Sequence, residues 1–502
     1  MNDFNTIVGR IDHFAAQTPD KVAIIFAEQR ITYAQLAAAS VRMAHTLKAK
    51  GVGANDRVCF LSGNCPEYLV FYHAVMRCGA ALFPINSDLA ASEIAYILGH
   101  AKPALVVSDA ANSAKIEAAQ AQATLLVPHG ELETLSMDSA HASEDAHGLH
   151  MRTSNDLALV IYTSGTTSAP KGVPASDAIE MAAADTFADI WGVTAQDRCL
   201  CALPLSFLFG LHTATLVAFS QGATVVLFQR FNPVRVLEGI VQHGVTMVLG
   251  VPTMYAMMLE HVTQTGIGYD LGLVRMAGSS GAPLAVATRD AIEEKLGMRI
   301  QDYYALSECR PIFSFRAADA QSVPVGSVGK AAPGVDVRLL DEEGLPVSAG
   351  ETGAVLVRSN HTLMSGYFRD PERTVSAFQD GWFVTGDLAY QDSKGNYYIA
   401  GRTRDQVISG GQKISAIEVE NVLLQHPAVA QVAAVGVPDT KFGELLKAVL
   451  VLRPGALQNE QELLEHCKDK LAAYKLPRLF SFRDSLPVSP AGKVLKRELI
   501  EE

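Results

Sequence analysis

The segment YTSGTTSAPKG, residues 162–172, directly follows the apolar run Leu157–Tyr162. Such a run predicts a buried strand, and the segment after it is rich in glycine and in hydroxyl side chains. In a loop of this composition, backbone N–H groups and hydroxyls can surround phosphate oxygens, while Lys171 adds a positive charge. The segment therefore predicts a phosphate-binding loop at the end of a strand.

The predicted loop differs from the P-loop of kinases and GTPases. That motif has the spacing G-x-x-x-x-G-K-[ST], whereas Gly165 is not followed five residues later by Gly-Lys. A loop of Ser, Thr and Gly alone is more often a surface turn than a phosphate site. The order of residues in the segment is therefore stronger evidence for a phosphate site than its composition.

Around the loop, strand patterns alternate with helical patterns, which predicts an α/β fold with largely parallel sheets. Thr32 and Gln35 fit a capping box that opens a helix running to Lys48. Residues 129–153 are expected to form an exposed connection. The other elements predicted in this half are strands at 57–61, 79–84, 157–162, 223–228 and 245–250, and helices at 66–78 and 91–100.

The pattern changes at Gly326 and again after Gly401. Short strands separated by turn signals follow Gly326, which predicts a small β-barrel-like part. The last hundred or so residues have an α+β pattern and are enough for an independent domain. We predict a large N-terminal domain, residues 1–403, and a small C-terminal domain, residues 404–502.

Composition excludes several classes of protein. The 502 residues carry a net charge of −12, which argues against a sequence-independent nucleic-acid binder, because such a protein needs a basic face. No uninterrupted apolar stretch reaches the ~18 residues of a membrane span, and the start has no signal-peptide pattern. The seven scattered cysteines favour free thiols in a reducing compartment, so we expect a cytoplasmic protein.

Five further motifs follow the loop in order: SGAPL at 280–284, YALSE at 304–308, TGD at 385–387, GRTRD at 401–405 and PAGKVL at 490–495. Together with residues 162–172 they resemble the signature motifs of the adenylate-forming superfamily, which includes acyl-CoA synthetases, peptide-synthetase adenylation domains and firefly luciferases. Ser168, Ala305 and Ser307 depart from the usual Gly, Gly and Thr. Each motif alone could be explained as a turn or a solvated side chain. Six matches in the right order are not explained by coincidence.

The resemblance implies an ATP site and its catalytic residues. Glu308 would hold Mg²⁺, Ser307 would reach the α-phosphate, and Lys493 would bridge the substrate carboxylate and the phosphate. Tyr304 would stack on adenine, Asp387 would accept hydrogen bonds from the ribose hydroxyls, and Arg402 would lie near ribose and phosphate. The remaining predicted ATP-binding residues are Thr163, Ser164, Gly165, Thr166, Thr167, Lys171, Gly281, Ala282, Pro283, Asp302 and Tyr303.

The resemblance also implies an acyl pocket. Its predicted residues are Phe207, Leu249, Gly278, Ser279, Cys309 and Arg310. Phe207 stands where the family commonly has His. Arg310 has no acidic neighbour in the sequence, so it could pair with a second carboxylate of the substrate or form a structural salt bridge. His212 is expected to be a packed or exposed helix residue rather than a ligand.

The implied reaction has two steps. The carboxylate attacks the α-phosphorus of ATP and pyrophosphate leaves; a thiol then attacks the acyl-AMP and AMP leaves. Between the steps the C-terminal domain would rotate about a hinge at Arg404. Gly410, Gly411 and Lys413 would then line the tunnel for the pantetheine arm of coenzyme A, although Gly410-Gly411 could also be a simple turn.

The function implied is an ATP-dependent carboxylate–CoA ligase that uses ATP, Mg²⁺ and coenzyme A. Its substrate would be a small or medium carboxylic acid, with an aromatic or a dicarboxylic acid both left open. The alternative is a stand-alone adenylation enzyme that loads a separate carrier protein. Luciferase-like oxidation and a catalytically inactive nucleotide-binding regulator are less favoured, the latter because Lys493, Glu308 and Asp387 are all present.

We predict that Lys493→Ala nearly abolishes adenylation, by about 10²–10³-fold, because its charge is needed while negative charge develops at phosphorus. Thiol transfer from supplied acyl-AMP should remain largely intact. Pyrophosphate release measures the first step, and thioester formation from synthetic acyl-AMP measures the second. Equal loss of both steps would contradict the two-conformation account.

Overall fold

The computed structural model describes residues 3–109, 111–119, 126–128, 147–163, 170–282, 284, 286–319, 322–409, 412–468, 470–488 and 494–500. For Arg404 and Lys413 it describes the backbone alone. Most of the predicted connection at 129–153 lies outside these ranges. The predicted site residues outside the described residues are Ser164, Gly165, Thr166, Thr167, Pro283, Gly410, Gly411 and Lys493.

The helices begin where the sequence supplies caps. Thr32 and Gln35 form the predicted capping box, in which the Thr32 hydroxyl accepts from the Gln35 backbone and the Gln35 side chain accepts from the Thr32 backbone. The α-helices, in chain order, are α1 (Ile7–Gln17), α2 (Tyr33–Ala49), α3 (Pro66–Arg77), α4 (Ala91–Ala101), α5 (Ser113–Ala118), α6 (Asp177–Trp191), α7 (Val217–Ser220), α8 (Pro233–His243), α9 (Pro252–Thr265), α10 (Val286–Leu296), α11 (Pro371–Ala377), α12 (Ala416–Leu423) and α13 (Glu460–Lys468).

Other helical segments are short. A π-helix spans Phe209–Leu216 and leads into α7. The 3₁₀ turns are Ala317–Asp319, Thr403–Asp405, Ala473–Lys475 and Lys496–Leu499.

Strands alternate with these helices through the first part of the chain, as the apolar runs predict. In chain order they are β1 (Val22–Phe26), β2 (Gln29–Thr32), β3 (Arg57–Leu61), β4 (Ala81–Ile85), β5 (Leu105–Ser108), β6 (Leu126–Pro128), β7 (Leu157–Thr163), β8 (Lys171–Ser176), β9 (Arg198–Cys201), β10 (Thr224–Leu227), β11 (Met247–Gly250), β12 (Met276–Ser279), β13 (Ile300–Asp302), β14 (Phe313–Ser314), β15 (Lys330–Ala331), β16 (Asp336–Leu340), β17 (Gly353–Arg358), β18 (Phe378–Gln379), β19 (Trp382–Gln391), β20 (Tyr397–Arg402), β21 (Gln406–Ser409), β22 (Gln412–Ser415), β23 (Val429–Asp439), β24 (Gly443–Leu452) and β25 (Leu479–Phe482).

Two largely parallel sheets dominate the N-terminal part. One has the strand order β13-β12-β11-β9-β10-β1-β2 and the other β6-β5-β3-β4-β7-β8. In each sheet one edge strand runs antiparallel: β2 beside β1, and β8 beside β7. The predicted α/β class is therefore confirmed.

The β7–β8 hairpin was not expected, because Gly172 and Pro174 interrupt the strand pattern of β8. Its register places Tyr162 opposite Gly172 and Thr163 opposite Lys171. The two ends of the predicted phosphate loop are therefore held side by side by backbone hydrogen bonds.

The small β-rich part is an antiparallel sheet with the order β16-β17-β19-β18, in which β20 also pairs with β19. The last part of the chain forms a separate mixed sheet, β22-β21-β24-β23, with β25 parallel to β24. This sheet is covered by α12 and α13, as the α+β pattern predicts. Its core clusters contain only residues from Val407 onward, and the other clusters contain only residues up to Tyr397.

That division of the core supports two domains, while the boundary between residues 403 and 404 stays a prediction. Within the described ranges, none of the helices combines the length and the apolar composition required to cross a bilayer.

Candidate active site

The candidate site lies where three neighbouring parallel strands end. Gly250 at the end of β11 is opposite Ser279 at the end of β12, which is opposite Asp302 at the end of β13. Leu249 and Gly278 are paired one position earlier. Predicted acyl and nucleotide residues are thus side by side at the carboxyl edge of the sheet, where open α/β sheets bind their ligands.

Three predicted nucleotide residues from three separate motifs meet at Asp387. The Tyr304 hydroxyl donates to Asp387 Oδ2, and Arg402 forms an ion pair with Asp387 in which Nε lies 3.0 Å from Oδ1. The β19–β20 ladder places Asp387 opposite Arg402. The Tyr304 ring stacks on Phe313 at a centroid distance of 5.5 Å, so Phe313 covers one of its faces.

Glu308 and Lys171 both contact Tyr367, a residue that sequence analysis missed. The Tyr367 hydroxyl donates to Glu308 Oε1 at 2.9 Å, and Lys171 Nζ lies 4.9 Å from the Tyr367 ring centroid. The Phe368 N–H donates to the Gly172 carbonyl at 2.8 Å, which holds this segment against β8. Nothing in the sequence near Tyr367 indicates a contact with residues about 60 and 200 positions earlier.

The residues present fit a magnesium ion bound together with nucleotide phosphates. Among the described residues, only Tyr367 contacts the Glu308 carboxylate, which leaves an oxygen available as a hard ligand. The described part of the chain has no group of three or more His, Cys, Asp or Glu side chains that could hold a metal. Mg²⁺ commonly binds through one or two carboxylates, substrate phosphates and water, so this donor set suits it.

Asp302 is buried and paired with Arg289 of α10, whose Nη2 donates to Asp302 Oδ2. Burial raises the pKa of Asp302 to about 6, although Arg289 acts in the opposite direction. The other carboxylate oxygen, Oδ1, is buried and has no hydrogen-bond partner among the described residues. A free buried acceptor at the end of β13 is consistent with the predicted nucleotide role.

Tyr303, which is predicted among the ATP-binding residues, has its ring in an aromatic cluster. Its ring packs against Phe187, Trp191 and Phe209, with centroid distances of 5.8, 5.1 and 5.9 Å. A Cβ built on Gly278 would lie 3.4 Å from Tyr303 Cε1. Tyr303 thus lies beside the predicted acyl residue Gly278, while the next residue, Tyr304, lies beside Asp387.

Arg310 has a buried acidic partner that lies 130 residues earlier in the chain. Its Nη2 donates to Glu180 Oε1 and its Nη1 donates to the Ser307 carbonyl at 2.9 Å. Of the two interpretations of Arg310, the structural salt bridge is the one for which the structure provides a partner. Sequence analysis missed Glu180 because a lone acid in a helix gives no signal of its distant contact.

Glu180 also binds His212, whose Nδ1 lies 2.7 Å from Glu180 Oε2. Both side chains are fully buried, so His212 is a packed residue, one of the two outcomes expected. Burial alone would raise the pKa of Glu180, but Arg310 and His212 together lower it below its ordinary value. The carboxylate therefore stays ionised inside the protein.

His212 belongs to the π-helix Phe209–Leu216, a rare conformation that often occurs at functional sites. The chain reaches this helix through a tight turn, in which a Cβ on Gly210 would lie 2.3 Å from the Pro204 carbonyl oxygen. Only glycine fits there. Phe207 is half-buried in this turn, and Cys309 is fully buried, with Sγ 3.9 Å from Thr362 Oγ1.

The remaining predicted residues lie at turns and element ends. Gly281 has a φ of +90°, and Ala282 is exposed beside it. The backbone of Arg404 lies in the 3₁₀ turn that follows β20, and that of Lys413 lies in β22. Val488 and Val494 form a bridge on either side of the segment that contains Lys493.

Comparison with known proteins matches the AMP-binding enzyme model at residues 11–368 and the AMP-binding enzyme C-terminal domain model at residues 418–493. The chain belongs to the AMP-binding enzyme family. An indoleacetate–CoA ligase of Aromatoleum aromaticum is 34% identical over 498 residues, covering 97% of this chain and 96% of that protein. The family resemblance inferred from the motifs is confirmed.

Solved structures of AMP-binding enzymes share the whole fold. ATP-bound MatB from Rhodopseudomonas palustris has a TM-score of 0.91 at 32% identity, covering 100% of this chain and 99% of that one. The anthranilate CoA ligase AuaEII in complex with anthranoyl-AMP has a TM-score of 0.90 at 28% identity, covering 98% and 96%. The chain is an ATP-dependent acid–thiol ligase that forms acyl-AMP and transfers the acyl group to coenzyme A.

We predict that Tyr367→Phe raises the Mg²⁺ concentration needed for half-maximal activity and slows adenylation about tenfold, because Glu308 loses a hydrogen bond that orients it. The ring that lies under Lys171 is retained. Pyrophosphate release measured across a Mg²⁺ titration tests this.

Tyr398→Phe is the matched control for this substitution, because it also removes a hydroxyl that donates to a carboxylate, Asp392 at 3.3 Å. It should leave the Mg²⁺ titration unchanged. An unchanged titration in Tyr367→Phe as well would show that Tyr367 does not position Glu308.

Proposed function

We propose that this ligase acts on a small aromatic monocarboxylic acid. The observation that supports the proposal is the cluster of Phe187, Trp191, Phe209 and Tyr303 rings beside Gly278. Flat rings pack favourably edge-to-face and offset against other rings, so an aromatic acyl group suits such walls. The indoleacetate–CoA ligase and the anthranilate CoA ligase similar to this chain are named for acids of this class.

The position of Tyr303 favours a short acyl group. Its ring lies within van der Waals distance of a side chain built on Gly278, and a Cβ there would be 2.8 Å from Leu249 Cδ2. Little space therefore remains between β11, β12 and the Tyr303 ring. We infer an acid with one or two fused rings rather than a long chain.

The Glu180–Arg310 pair argues against a dicarboxylic acid. The guanidinium is buried and already paired with a buried carboxylate. Arg310 Nε has no hydrogen-bond partner among the described residues, but a second substrate carboxylate there would share one guanidinium with Glu180. Two buried carboxylates against one positive charge leave a negative charge uncompensated, which is strongly unfavourable. We therefore favour a monocarboxylic acid and a positional role for Arg310, whose Nη1 also binds the Ser307 carbonyl.

We assign the nucleotide to the residues that meet around Asp387. Tyr304 and Arg402 orient the Asp387 carboxylate, which would accept hydrogen bonds from the ribose hydroxyls. Asp302 Oδ1 would accept from the adenine amino group. The face of Tyr304 not covered by Phe313 would stack on the adenine ring.

In the first step the chain holds the acid and ATP so that a carboxylate oxygen attacks the α-phosphorus in line with departing pyrophosphate. Negative charge spreads over the phosphate oxygens, and positioned positive charges stabilise it. Lys171 and Lys493 would supply two of these charges, with Ser307 as a hydroxyl donor. Mg²⁺, held by Glu308 and the phosphates, would neutralise part of the same charge when bound.

The second step needs a different face of the C-terminal domain. We propose that residues 404–502 rotate about Arg404 and bring Gly410, Gly411 and Lys413 to the thiol path. The acceptor is coenzyme A; loading of a separate carrier protein, the alternative drawn from the sequence, is an outcome that the acid panel below can detect. A cytoplasmic location stays a prediction.

A panel of single acids tests the proposed function. Benzoate, phenylacetate and indole-3-acetate, compared with hexanoate and malonate, should give a kcat/KM for pyrophosphate release at least about tenfold higher. Mass spectrometry with CoA present should detect the aromatic thioester. Preference for hexanoate or malonate would overturn the proposal, and transfer to a phosphopantetheinylated carrier but not to CoA would favour the alternative thiol.

We predict that Tyr303→Leu shifts selectivity towards bulkier acids, because a smaller side chain leaves room beside Gly278. The ratio of kcat/KM for 2-naphthoate to that for benzoate should rise about tenfold, the order expected for one or two methylene-sized changes in a pocket. The KM for ATP should stay within about twofold of wild type, and circular dichroism should confirm folding. A raised KM for ATP with unchanged acid selectivity would return Tyr303 to the ATP-binding residues.

A further inference from the structure

His212 has one ring nitrogen that the fold does not use. Its Nδ1 is bonded to Glu180, but its Nε2 is buried and has no hydrogen-bond partner among the described residues. Leaving a buried polar atom without a hydrogen-bond partner costs free energy, and most buried polar atoms in proteins have a partner. His212 Nε2 is one of nine such atoms among the described residues, and its surroundings decide whether it has a role.

The neighbours of His212 define which kind of partner Nε2 could take. Burial lowers the pKa of His212, an effect that Glu180 offsets only in part, so the imidazole is neutral at pH 7. The ionised Glu180 carboxylate can only accept, so the single ring proton lies on Nδ1. Nε2 then presents a lone pair, and its complement is a donor group, N–H or O–H.

The position of His212 connects it to the acyl residues. Its ring centroid lies 6.2 Å from that of Phe187, which lies 5.8 Å from that of Tyr303. The same π-helix contributes Phe209 to this aromatic cluster. Ser279 Oγ, at the end of β12, is a second buried polar atom with no partner among the described residues.

We propose that His212 Nε2 accepts a hydrogen bond from an N–H or O–H group on the ring of the acyl substrate. The enzyme then selects aromatic acids that bear a ring donor over otherwise equal acids that lack one. This inference rests on the proposed function, since it names a finer class within the aromatic acids. Glu180 and Arg310 act as positioning residues, because they fix the tautomer and the orientation of the imidazole.

The lone pair on His212 Nε2 determines which acids are preferred. An acid with a ring donor forms a hydrogen bond with Nε2. An acid without a donor leaves Nε2 unpaired and facing the apolar ring. Sites built to bond a substrate hydroxyl or amine reject analogues that lack it more strongly than apolar pockets reject added groups. We expect a difference of about 10- to 100-fold in kcat/KM.

The first test uses wild-type enzyme and acids matched in shape. Indole-3-acetate is compared with benzothiophene-3-acetate, in which sulfur replaces the N–H, and each amino- or hydroxybenzoate is compared with the methylbenzoate of the same substitution pattern. Pyrophosphate release gives kcat/KM for each acid. At least one donor-bearing member should exceed its partner by about 10- to 100-fold, and equal values throughout would overturn the inference.

The second test uses two variants that each keep one half of the imidazole. In His212→Asn the amide nitrogen can occupy the place of Nδ1 and still donate to Glu180, but nothing remains at Nε2. In His212→Gln the amide oxygen can reach the place of Nε2, while the bond to Glu180 is lost. The donor preference should disappear in His212→Asn and persist in part in His212→Gln.

The outcomes separate this inference from the proposed function. If aromatic acids are preferred but His212→Asn lowers kcat/KM equally for both members of a pair, His212 is structural and only this inference is overturned. If aliphatic acids are preferred to all aromatic acids, the proposed function fails and the inference fails with it. Should neither variant fold, the wild-type comparison still decides the outcome.

Discussion

Parallel strands in one sheet must present their carboxyl ends at the same edge, and the candidate site depends on that constraint. β12 and β13 each end on a residue with a predicted role, and β11 carries predicted Leu249 one residue before its end. The register aligns Gly250, Ser279 and Asp302 across the edge. The two residues that follow β13 then diverge: Tyr303 joins the aromatic cluster and Tyr304 reaches Asp387. Acid and nucleotide residues thus meet without any long side chain having to reach across.

The buried charges form a second frame around the same edge. Glu180 accepts from Arg310 on one side and from His212 on the other, and Arg310 also binds the carbonyl of Ser307. Removing Glu180 or Arg310 alone should be strongly destabilising, because it leaves an uncompensated buried charge. The set links α6, the π-helix and the segment that leads to Glu308, so it ties the predicted acyl residues to the predicted metal ligand.

Much of the fold follows from local pattern, and the limits of prediction are equally local. The Thr32–Gln35 capping box and the apolar runs for β3, β7 and β11 give their elements directly, because caps and periodicity act within a few residues. Family motifs predicted that Tyr304, Asp387 and Arg402 share a site. The partners of Arg310 and Glu308 were not predictable, because Glu180 and Tyr367 contact them only through tertiary packing.

The β7–β8 hairpin has a consequence for how the nucleotide loop can vary. Thr163 is paired with Lys171, so the sheet itself closes the ends of the seven-residue segment between them. The ladder therefore meets the entropy cost of bringing the two ends of the loop together. Because the ladder on both sides sets the strand register, the predicted phosphate loop is a natural place for homologues, or an engineer, to tune affinity independently of the fold.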